Sequence, residues 1–587
     1  MKSKRETFVD KLLGGMTLAE KVGQCFTLSW RGSMITPSAV DVITKLNAGG
    51  LRIEPYTTES ATALYYGRRL AEKGFDLPEE YRHIAQTYFK AKHPGTYTPP
   101  DEYARRLNRL KEIAMNRRSG IPLHITLDYE GDFSHDYAFG GMNLFPSHMG
   151  LAACGDDDLV YRAAKAVARQ LHAIGVTMMH SPICDVNVNP DNPEIGTRSF
   201  SDDAKTCARL VVRQLEGIRD GGLVAVAKHY PGRGNSSTDA HDGLPVIGDD
   251  GKTMRERDLL PYRALIAAGL GGVMTAHTNY PKLDPAGVPA TLSRIIVHDI
   301  LRGELGFTGV ITSDAMGMGA IVNTWGVPRA CVLALKAGCD LVLVKNDEEV
   351  RAQSVCEVTR AVQSGEIAEA DLDASVRRIL LMKYDQGLFK NGGMVDADKA
   401  PGIIAQPAMR SVCRAAAEGC LILMRDDARL LPLSPDRKVL VIEQMVPAEF
   451  TPNDIHCNSH LFNEAMTAQS MNVINATTEF SATEQEQALM LEVAKEADVV
   501  VATNFYWRIL PRNNTELIRR LVAAGKKVVV VANAPYASSC PREAPTVLCT
   551  FSGVPNSLRA AAEFLYGGRA ARGIWPIRAQ KPWDGAA

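Results

Sequence analysis

Short apolar runs alternate with amphipathic stretches over the first two thirds of this chain. The runs fall at 22–30, 50–55, 122–128, 176–185, 223–229, 272–277, 310–314 and 340–345. The fifth, Leu223-Val224-Ala225-Val226-Ala227, is continuously apolar, the pattern of a parallel strand buried on both faces. Between the runs the spacing is helical. Over 159–174, Val160, Ala163, Ala164, Val167, Ala168 and Leu171 share one face, and Gly175 is the stop. Eight strand–helix units predict a (β/α)8 TIM-type barrel over 1–390. An open doubly wound sheet is the competing arrangement. The barrel is preferred because polar residues crowd the carboxyl ends of many of the runs, where barrel proteins place their sites.

One connection is too long for a simple barrel loop. Residues 56–102 follow the second strand and carry Tyr65, Tyr66, Tyr81, Tyr88 and Tyr97. An insertion of this length reads either as a pocket wall or as a helical hairpin remote from any ligand. Residues 391–408, with three glycines and two prolines, read as a linker. A second set of apolar runs then appears at 439–442, 473–474, 499–502, 528–532 and 547–550, separated by helical segments such as 484–497 and 515–524. This predicts a smaller αβα sandwich domain over 409–587, with a mostly parallel sheet of five or six strands. No glycine-rich fingerprint follows its first strand, so no dinucleotide cofactor is expected.

Composition narrows the function classes. The 587 residues include 66 basic and 67 acidic ones, a formal net charge of −1, which gives no electrostatic reason to expect a nucleic-acid or membrane-surface partner. No apolar window reaches the length of a membrane span, and the charged start is followed by no signal-peptide core. The 12 cysteines are scattered without C-x-x-C spacing. Those in apolar runs, such as Cys25, Cys339 and Cys549, read as small buried hydrophobes of a reducing compartment, so a cytoplasmic address is expected.

The richest chemistry lies at 228–241, Lys-His-Tyr-Pro-Gly-Arg-Gly-Asn-Ser-Ser-Thr-Asp-Ala-His. The fifth run delivers Lys228 and His229 at its carboxyl end. A Pro-Gly-x-Gly turn then opens a loop ending in Asp239 and His241. At i and i+2 the two can face each other. The carboxylate then fixes the imidazole tautomer and raises its basicity, making His241 a proton-transfer group near neutral pH. A lone Asp-x-His is more often an ordinary polar loop, and the strand end and glycine turn argue against that here. The seventh run ends in Ser313-Asp314-Ala315-Met316-Gly317-Met318. An aspartate among small and apolar residues at a barrel strand end is a candidate nucleophile, although such a residue often serves as a helix cap or ion-pair partner.

These motifs resemble the β-N-acetylglucosaminidases of glycoside hydrolase family 3, which carry Lys-His-(aromatic)-Pro-Gly-x-Gly followed by Asp-Ser-His. Here Ala240 replaces the serine, and Arg233 stands where histidine is common. Residues 189–200, Asn-Pro-Asp-Asn-Pro-Glu-Ile-Gly-Thr-Arg-Ser-Phe, are similar to the family's Asn-Pro-x-Asn-Pro-Val-Ile-Gly-x-Arg-Ser-Phe. Gly-Ile-Trp-Pro-Ile at 573–577 is similar to the end of its two-domain members. The resemblance implies that Asp314 forms a glycosyl–enzyme ester, with His241 as acid/base backed by Asp239. It also implies that Asp128, Arg198, Lys228 and His229 hold the sugar hydroxyls and acetamido group. For Arg198 the alternative is a structural ion pair with Asp185 or Asp191. His277, Trp30 and Trp325 are expected to be core residues.

The implied activity is a retaining, exo-acting β-N-acetylglucosaminidase on small glycans or muropeptides, without metal or cofactor. The competing readings are a phosphorylase using the same pair and a non-catalytic sugar-binding protein. The partner is a small carbohydrate, and the second domain could mediate a homodimer. One segment departs from the resemblance. After Glu130-Gly131 the family continues with a second glycine, whereas this chain reads Asp132-Phe133-Ser134-His135-Asp136. An extra carboxylate and a phenylalanine there would reshape the site beside Asp128. The second domain shows no glutamate placed to act as an acid.

Overall fold

The computed structural model describes residues 3–54, 98–132, 134–137, 141–445, 460–507 and 512–579. Eight parallel strands close a barrel: β1 (Phe26–Arg31), β2 (Gly50–Glu54), β3 (His124–Leu127), β4 (Met178–Met179), β5 (Val224–Tyr230), β6 (Gly272–Thr275), β7 (Val310–Ala315) and β8 (Leu341–Val344). Each strand pairs with its neighbours in sequence, and β1 closes the ring against β8 with Phe26 opposite Val342. Every expected run overlaps a barrel strand. The first strand starts later than its apolar run, because residues 18–24 form a helix that Thr17 caps together with Glu20. β4 is short as a regular strand, but its pairing with β5 goes on past it, with the Ser181 and Pro182 carbonyls accepting from Val226 and Lys228 and a bridge at Ile183.

The helix Asp157–Ala173 shows how the local code works. The Asp156 carboxylate accepts from the amides of Asp158 and Leu159, satisfying donors that the first turn leaves open. Its face of Leu159, Val160, Ala163, Ala164, Val167 and Leu171 is buried in the barrel core and packs beside the helix Ala204–Asp220. Gly175 ends the unit at φ +100°, where a Cβ would meet the Lys111 ammonium at 2.9 Å.

The expected insertion lies outside the described residues as far as residue 97; from Pro100 to Met115 the chain is a helix against the barrel. The stretch expected as a linker at 391–408 is more ordered than its glycines suggest. It contains the helix Ala400–Ile404 and the start of Pro407–Gly419, each with a proline in its first turn, where the missing N–H costs nothing. Met409, Cys413 and Ala416 join the barrel core.

The second unit is a six-stranded sheet of β9 (Ile422–Asp426), β10 (Val439–Met445), β11 (Val473–Glu479), β12 (Val499–Thr503), β13 (Val528–Ala532) and β14 (Thr546–Cys549), in the order β9-β14-β13-β12-β10-β11. Five strands are parallel. β9 runs antiparallel along the edge and has no counterpart among the expected runs. Its sequence, Ile-Leu-Met-Arg-Asp, is only partly apolar because an edge strand is only partly covered. Two clusters of buried side chains lie on the sheet's two faces, one around Leu440, Val500 and Val530 and the other around Val441, Val501 and Val529.

Asp132 ties the two units together. Its Oδ1 accepts from the Gly553 amide at 2.8 Å, and its Oδ2 accepts from Asn533 Nδ2 at 3.1 Å. It does so at φ +47°, a left-handed conformation suited to glycine, so the strain is held by cross-domain hydrogen bonds. The expectation that this departure reshapes the site beside Asp128 therefore needs division. Asp132 is held by the second unit, Asp136 pairs with Arg52 and accepts the Asp128 amide, and Phe133 lies outside the described residues. Around the tie, Tyr506 donates to the Pro193 carbonyl and Asn187 to Tyr536 Oη, at 2.8 and 3.0 Å. Ser201 donates to the Pro576 carbonyl, fixing the C-terminal stretch on the barrel.

Candidate active site

The site grows from the carboxyl ends of the barrel strands. Asp128, just past β3, is held from three sides. Its Oδ2 lies 2.6 Å from Arg52 Nη2, and its Oδ1 lies 2.8 Å from Lys228 Nζ and 3.3 Å from His180 Nδ1. Lys228 also reaches Glu130 Oε1 at 2.5 Å. Arg198 sits on the same glutamate with two nitrogens, Nε at 2.5 Å and Nη2 at 3.0 Å. Its ion-pair partner is thus Glu130 rather than Asp185 or Asp191. Bidentate geometry and burial fix the guanidinium plane. Burial pushes the Asp128 carboxyl up, but Arg52 and Lys228 outweigh it and the net shift is well down. Glu130 is likewise held down against burial, by Arg198 and then Lys228.

His229 is buried, with Nδ1 2.8 Å from Asp185 Oδ2. Burial pushes its pKa well below the usual value, with Arg233, Arg198 and Lys228 adding to the fall, so the ring is neutral. Asp185 also accepts the Arg233 amide at 2.7 Å, which fixes the turn after β5. Gly234 allows that turn to lie against the barrel, since a Cβ there would meet the Val186 carbonyl at 1.9 Å.

Asp314, near the end of β7, is 13% exposed. Its Oδ1 accepts from the Ala315 amide at 2.7 Å, and its Oδ2 lies 3.5 Å from Arg233 Nη2. Burial raises its pKa, but Arg233 and then His277 and Lys228 turn the net shift downward. The carboxylate is therefore kept ionised. His277 itself is fully buried between Thr291 Oγ1 at 2.8 Å and the Ala315 carbonyl at 3.1 Å. Trp30 is buried, stacks on Tyr103 and donates to the Met34 carbonyl. Trp325 packs against the barrel core.

The loop after β5 brings Asp239 and His241 to the same mouth. His241 Nδ1 lies 2.6 Å from Asp239 Oδ1, which also accepts the His241 amide at 2.8 Å. The His241 side chain is 42% exposed. The loop is docked rather than open. The Gly319 amide donates to the His241 carbonyl at 3.2 Å, and the Ala320 amide to the Ala240 carbonyl at 3.1 Å. Ala240, Met318 and Ala320 form a small apolar cluster beneath it. The serine-to-alanine change at 240 thus fits a buried, dry position, and the loop lies directly on the segment that follows Asp314.

Four contributors were not singled out by sequence reasoning: Arg52, Glu130, His180 and Glu194. Arg52 and Glu194 are charged residues in otherwise apolar or turn-like stretches, and that is the one signal that could have found them. Glu194 Oε1 lies 2.8 Å from Arg233 Nη2 and 3.7 Å from His241 Nδ1. Asp136 Oδ2 shares Arg52 Nη2 with Asp128, at 2.6 Å, and accepts the Asp128 amide. Glu194, Asp239 and His241 each bring one ligand atom within 4.8 Å of the others, a spacing that could hold a metal ion. Those atoms already face Arg233 or one another, however, so they form an ion-paired chain.

An eight-stranded parallel barrel, with the ionised Asp314 at a strand end and a carboxylate-backed histidine above it, defines a two-domain barrel protein whose candidate site lies at the carboxyl ends of its strands. The description "Glycosyl hydrolase family 3 N terminal domain" matches residues 90–382. A β-hexosaminidase of Idiomarina loihiensis is 34% identical over 247 residues, 41% of this chain and 73% of that protein. The chain belongs to glycosyl hydrolase family 3. β-Hexosaminidase A of Pseudoalteromonas piscicida is 29% identical over 57% of this chain, which spans 61% of that relative's length. The solved β-N-acetylglucosaminidase of Paenibacillus sp. superposes with a TM-score of 0.80 at 27% identity, covering 96% of this chain and 99% of that one.

Proposed function

We propose that the protein is a retaining, exo-acting β-N-acetylglucosaminidase that releases terminal β-linked N-acetylglucosamine from small glycans. The observation that carries this reading is the docking of the Asp239–His241 loop onto the segment directly after Asp314. An ionised carboxylate and a carboxylate-backed imidazole then share one barrel mouth, as a double-displacement mechanism needs. The names of the relatives, β-hexosaminidase and β-N-acetylglucosaminidase, supply the sugar class.

In the first step an Asp314 oxygen attacks the anomeric carbon, and the bond to the glycosidic oxygen breaks. His241 gives its Nε2 proton to that departing oxygen. Nδ1 faces Asp239, so Nε2 is the nitrogen assigned to the transfer. The products are a neutral glycosyl ester, a neutral imidazole and the released alcohol. In the second step His241 takes a proton from water as the water oxygen attacks the anomeric carbon, and Asp314 leaves as a carboxylate. Asp128, Lys228 and Arg198 form the polar floor that replaces the water lost from the sugar hydroxyls. Among the described residues no helix is long and apolar enough to cross a membrane. The eleven described cysteines are free, which supports a reducing, cytoplasmic setting.

The same pair could pass the glycosyl group to phosphate, because a neutral imidazole repels that anion less than a carboxylate would. The test is therefore release of an aryl alcohol from an aryl β-N-acetylglucosaminide with and without inorganic phosphate. Free N-acetylglucosamine released with retention, independent of phosphate, is the expected product. A sugar phosphate as the main product would replace hydrolysis by phosphorolysis, and no turnover of any β-hexosaminide would sink the reading.

A further inference from the structure

Arg233 and Glu194 stand where the resembling family carries histidine and valine. In this chain the two positions hold opposite charges that meet in space, although they are 39 residues apart. Both side chains are buried, at 2% and 3% exposure. The contact uses one atom from each, Arg233 Nη2 and Glu194 Oε1, at 2.8 Å. Each of these atoms also faces a catalytic group. Arg233 Nη2 lies 3.5 Å from Asp314 Oδ2, and Glu194 Oε1 lies 3.7 Å from His241 Nδ1. The result is an unbroken line of alternating charge: Asp314, Arg233, Glu194, His241, with Asp239 at its end. Among the described residues, Arg233 Nε and Nη1 have no hydrogen-bond partner. Leaving two buried donors unpaired is costly, so the side chain is placed for its charge rather than for a full set of hydrogen bonds.

We infer that Glu194 and Arg233 are positioning residues that couple the two ionisations the reaction needs, an anionic Asp314 and a protonated His241. This rests on the function proposed above. Before the first step Asp314, Glu194 and Asp239 are anionic, and Arg233 and the doubly protonated ring of His241 are cationic. After it, Asp314 is a neutral ester and His241 has lost its proton to the departing oxygen. One negative and one positive charge disappear together, so the net charge of the line does not change. Arg233 favours the ionised nucleophile, and Glu194 favours the imidazolium beside it. Because the two are paired, neither is a lone buried charge while the reacting groups are neutral. A valine and a histidine at these positions would leave the nucleophile and the acid to be tuned separately.

Among the described residues, Glu194 faces Arg233, His241 and, at 3.8 Å, Arg198. His241 faces Asp239 from its own loop and Glu194 from the segment after β4. Asp314 faces Arg233, His277 and Lys228. Arg233 faces Glu194, Asp314, Asp185 and Arg198. Glu194→Gln removes one carboxylate from His241 and a second, more distant one from Arg198, whose Nη1 lies 3.8 Å from Glu194 Oε1, and Arg233→Gln removes one cation from Asp314.

The test is the pH profile of kcat/KM on an aryl β-N-acetylglucosaminide, together with an NMR titration of His241 that needs no turnover. Glu194→Gln should lower the His241 midpoint and the basic limb by roughly half a unit to one unit, since the ring is partly exposed and its partners screened. Arg233→Gln should raise the acidic limb by about one unit or more. The double variant should narrow the bell from both sides. It removes both buried charges together, whereas the Arg233 variant alone takes from Glu194 its nearest cation. A folded double variant whose limbs and His241 midpoint match the wild type would overturn the coupling, even with a uniform fall in kcat. A wild type that turns over no β-hexosaminide defeats the proposed activity instead. The His241 midpoint in Glu194→Gln then still decides the coupling: unmoved, it refutes it, and lowered, it upholds it.

Discussion

Two parts of the barrel mouth are built in opposite ways. The floor, with Asp128, Glu130, Arg198, Lys228 and Arg52, comes from strand ends and the turns beside them, and every charge in it has an ion-pair partner. The Asp239–His241 pair comes from a loop, is partly exposed, and is held to the barrel by two backbone hydrogen bonds and a small apolar cluster. The difference follows from the tasks. Groups that bind a sugar must not move, and rigid elements with shared ion pairs keep them in place. A group that gives a proton away and takes it back needs access to the leaving group and then to water, so it sits on a segment of low local stability. Asp314 stands between the two, on a strand but facing the loop.

Four measurements would break or sharpen this division. Asp314→Asn should abolish turnover by several orders of magnitude while the fold persists, since the amide keeps the shape and loses the nucleophile. A mechanism-based fluorosugar should label Asp314 in the wild type, and labelling in either region instead would move the covalent step there. His241→Ala should slow poor leaving groups by about 10²–10⁴-fold and activated aryl groups less. Its thermal stability should stay within about 0.5 kcal/mol of wild type, as for an exposed loop position. Equal losses across leaving groups would make His241 a binding residue and so part of the floor.

Glu130→Gln tests the floor from the other side. It leaves Arg198 and Lys228 short of a buried carboxylate, so chemical denaturation should show a loss of about 3–5 kcal/mol. KM should rise with it. A change as small as that of His241→Ala would mean the floor is no more rigid than the loop. The smallest effect concerns Asp136. Burial pushes its pKa from 3.8 up to about 6, with Asp128 adding to the rise and Arg52 opposing it. Between those values the folded chain binds a proton that the unfolded chain has lost, so stability should fall as pH rises through that window, by about 2–3 kcal/mol. Asp136→Asn should flatten that slope in denaturation curves taken from about pH 4 to 7. An unchanged slope would remove Asp136 from the titrating groups of the floor.

The eight barrel strands were legible because a parallel strand covered on both faces must be apolar along its whole length, as in Val224–Ala227 and Leu341–Val344. β9 was not, because an edge strand with Arg425 and Asp426 carries a weaker form of the same signal. Asp314, Asp239 and His241 were legible because strand ends and a short loop spacing put chemistry close together along the chain. The segment expected to reshape the site beside Asp128 divides in space. Asp136 faces that site, while Asp132 turns to Asn533 and Gly553, more than 400 residues away.

By itself, then, the sequence determined whatever depends on neighbours along the chain: the alternation of strands and helices, the glycine turn after β5, and the Asp239–His241 pair with its spacing of two. The tertiary structure alone decided which charges meet. Arg198 could not be given to Glu130, Arg52 to Asp128, or Arg233 to Glu194 and Asp314 from their positions in the chain. Barrel closure brings strand ends that are remote in the chain into one ring, within hydrogen-bonding reach of each other. Coulomb energy falls with distance through space and takes no account of distance along the chain.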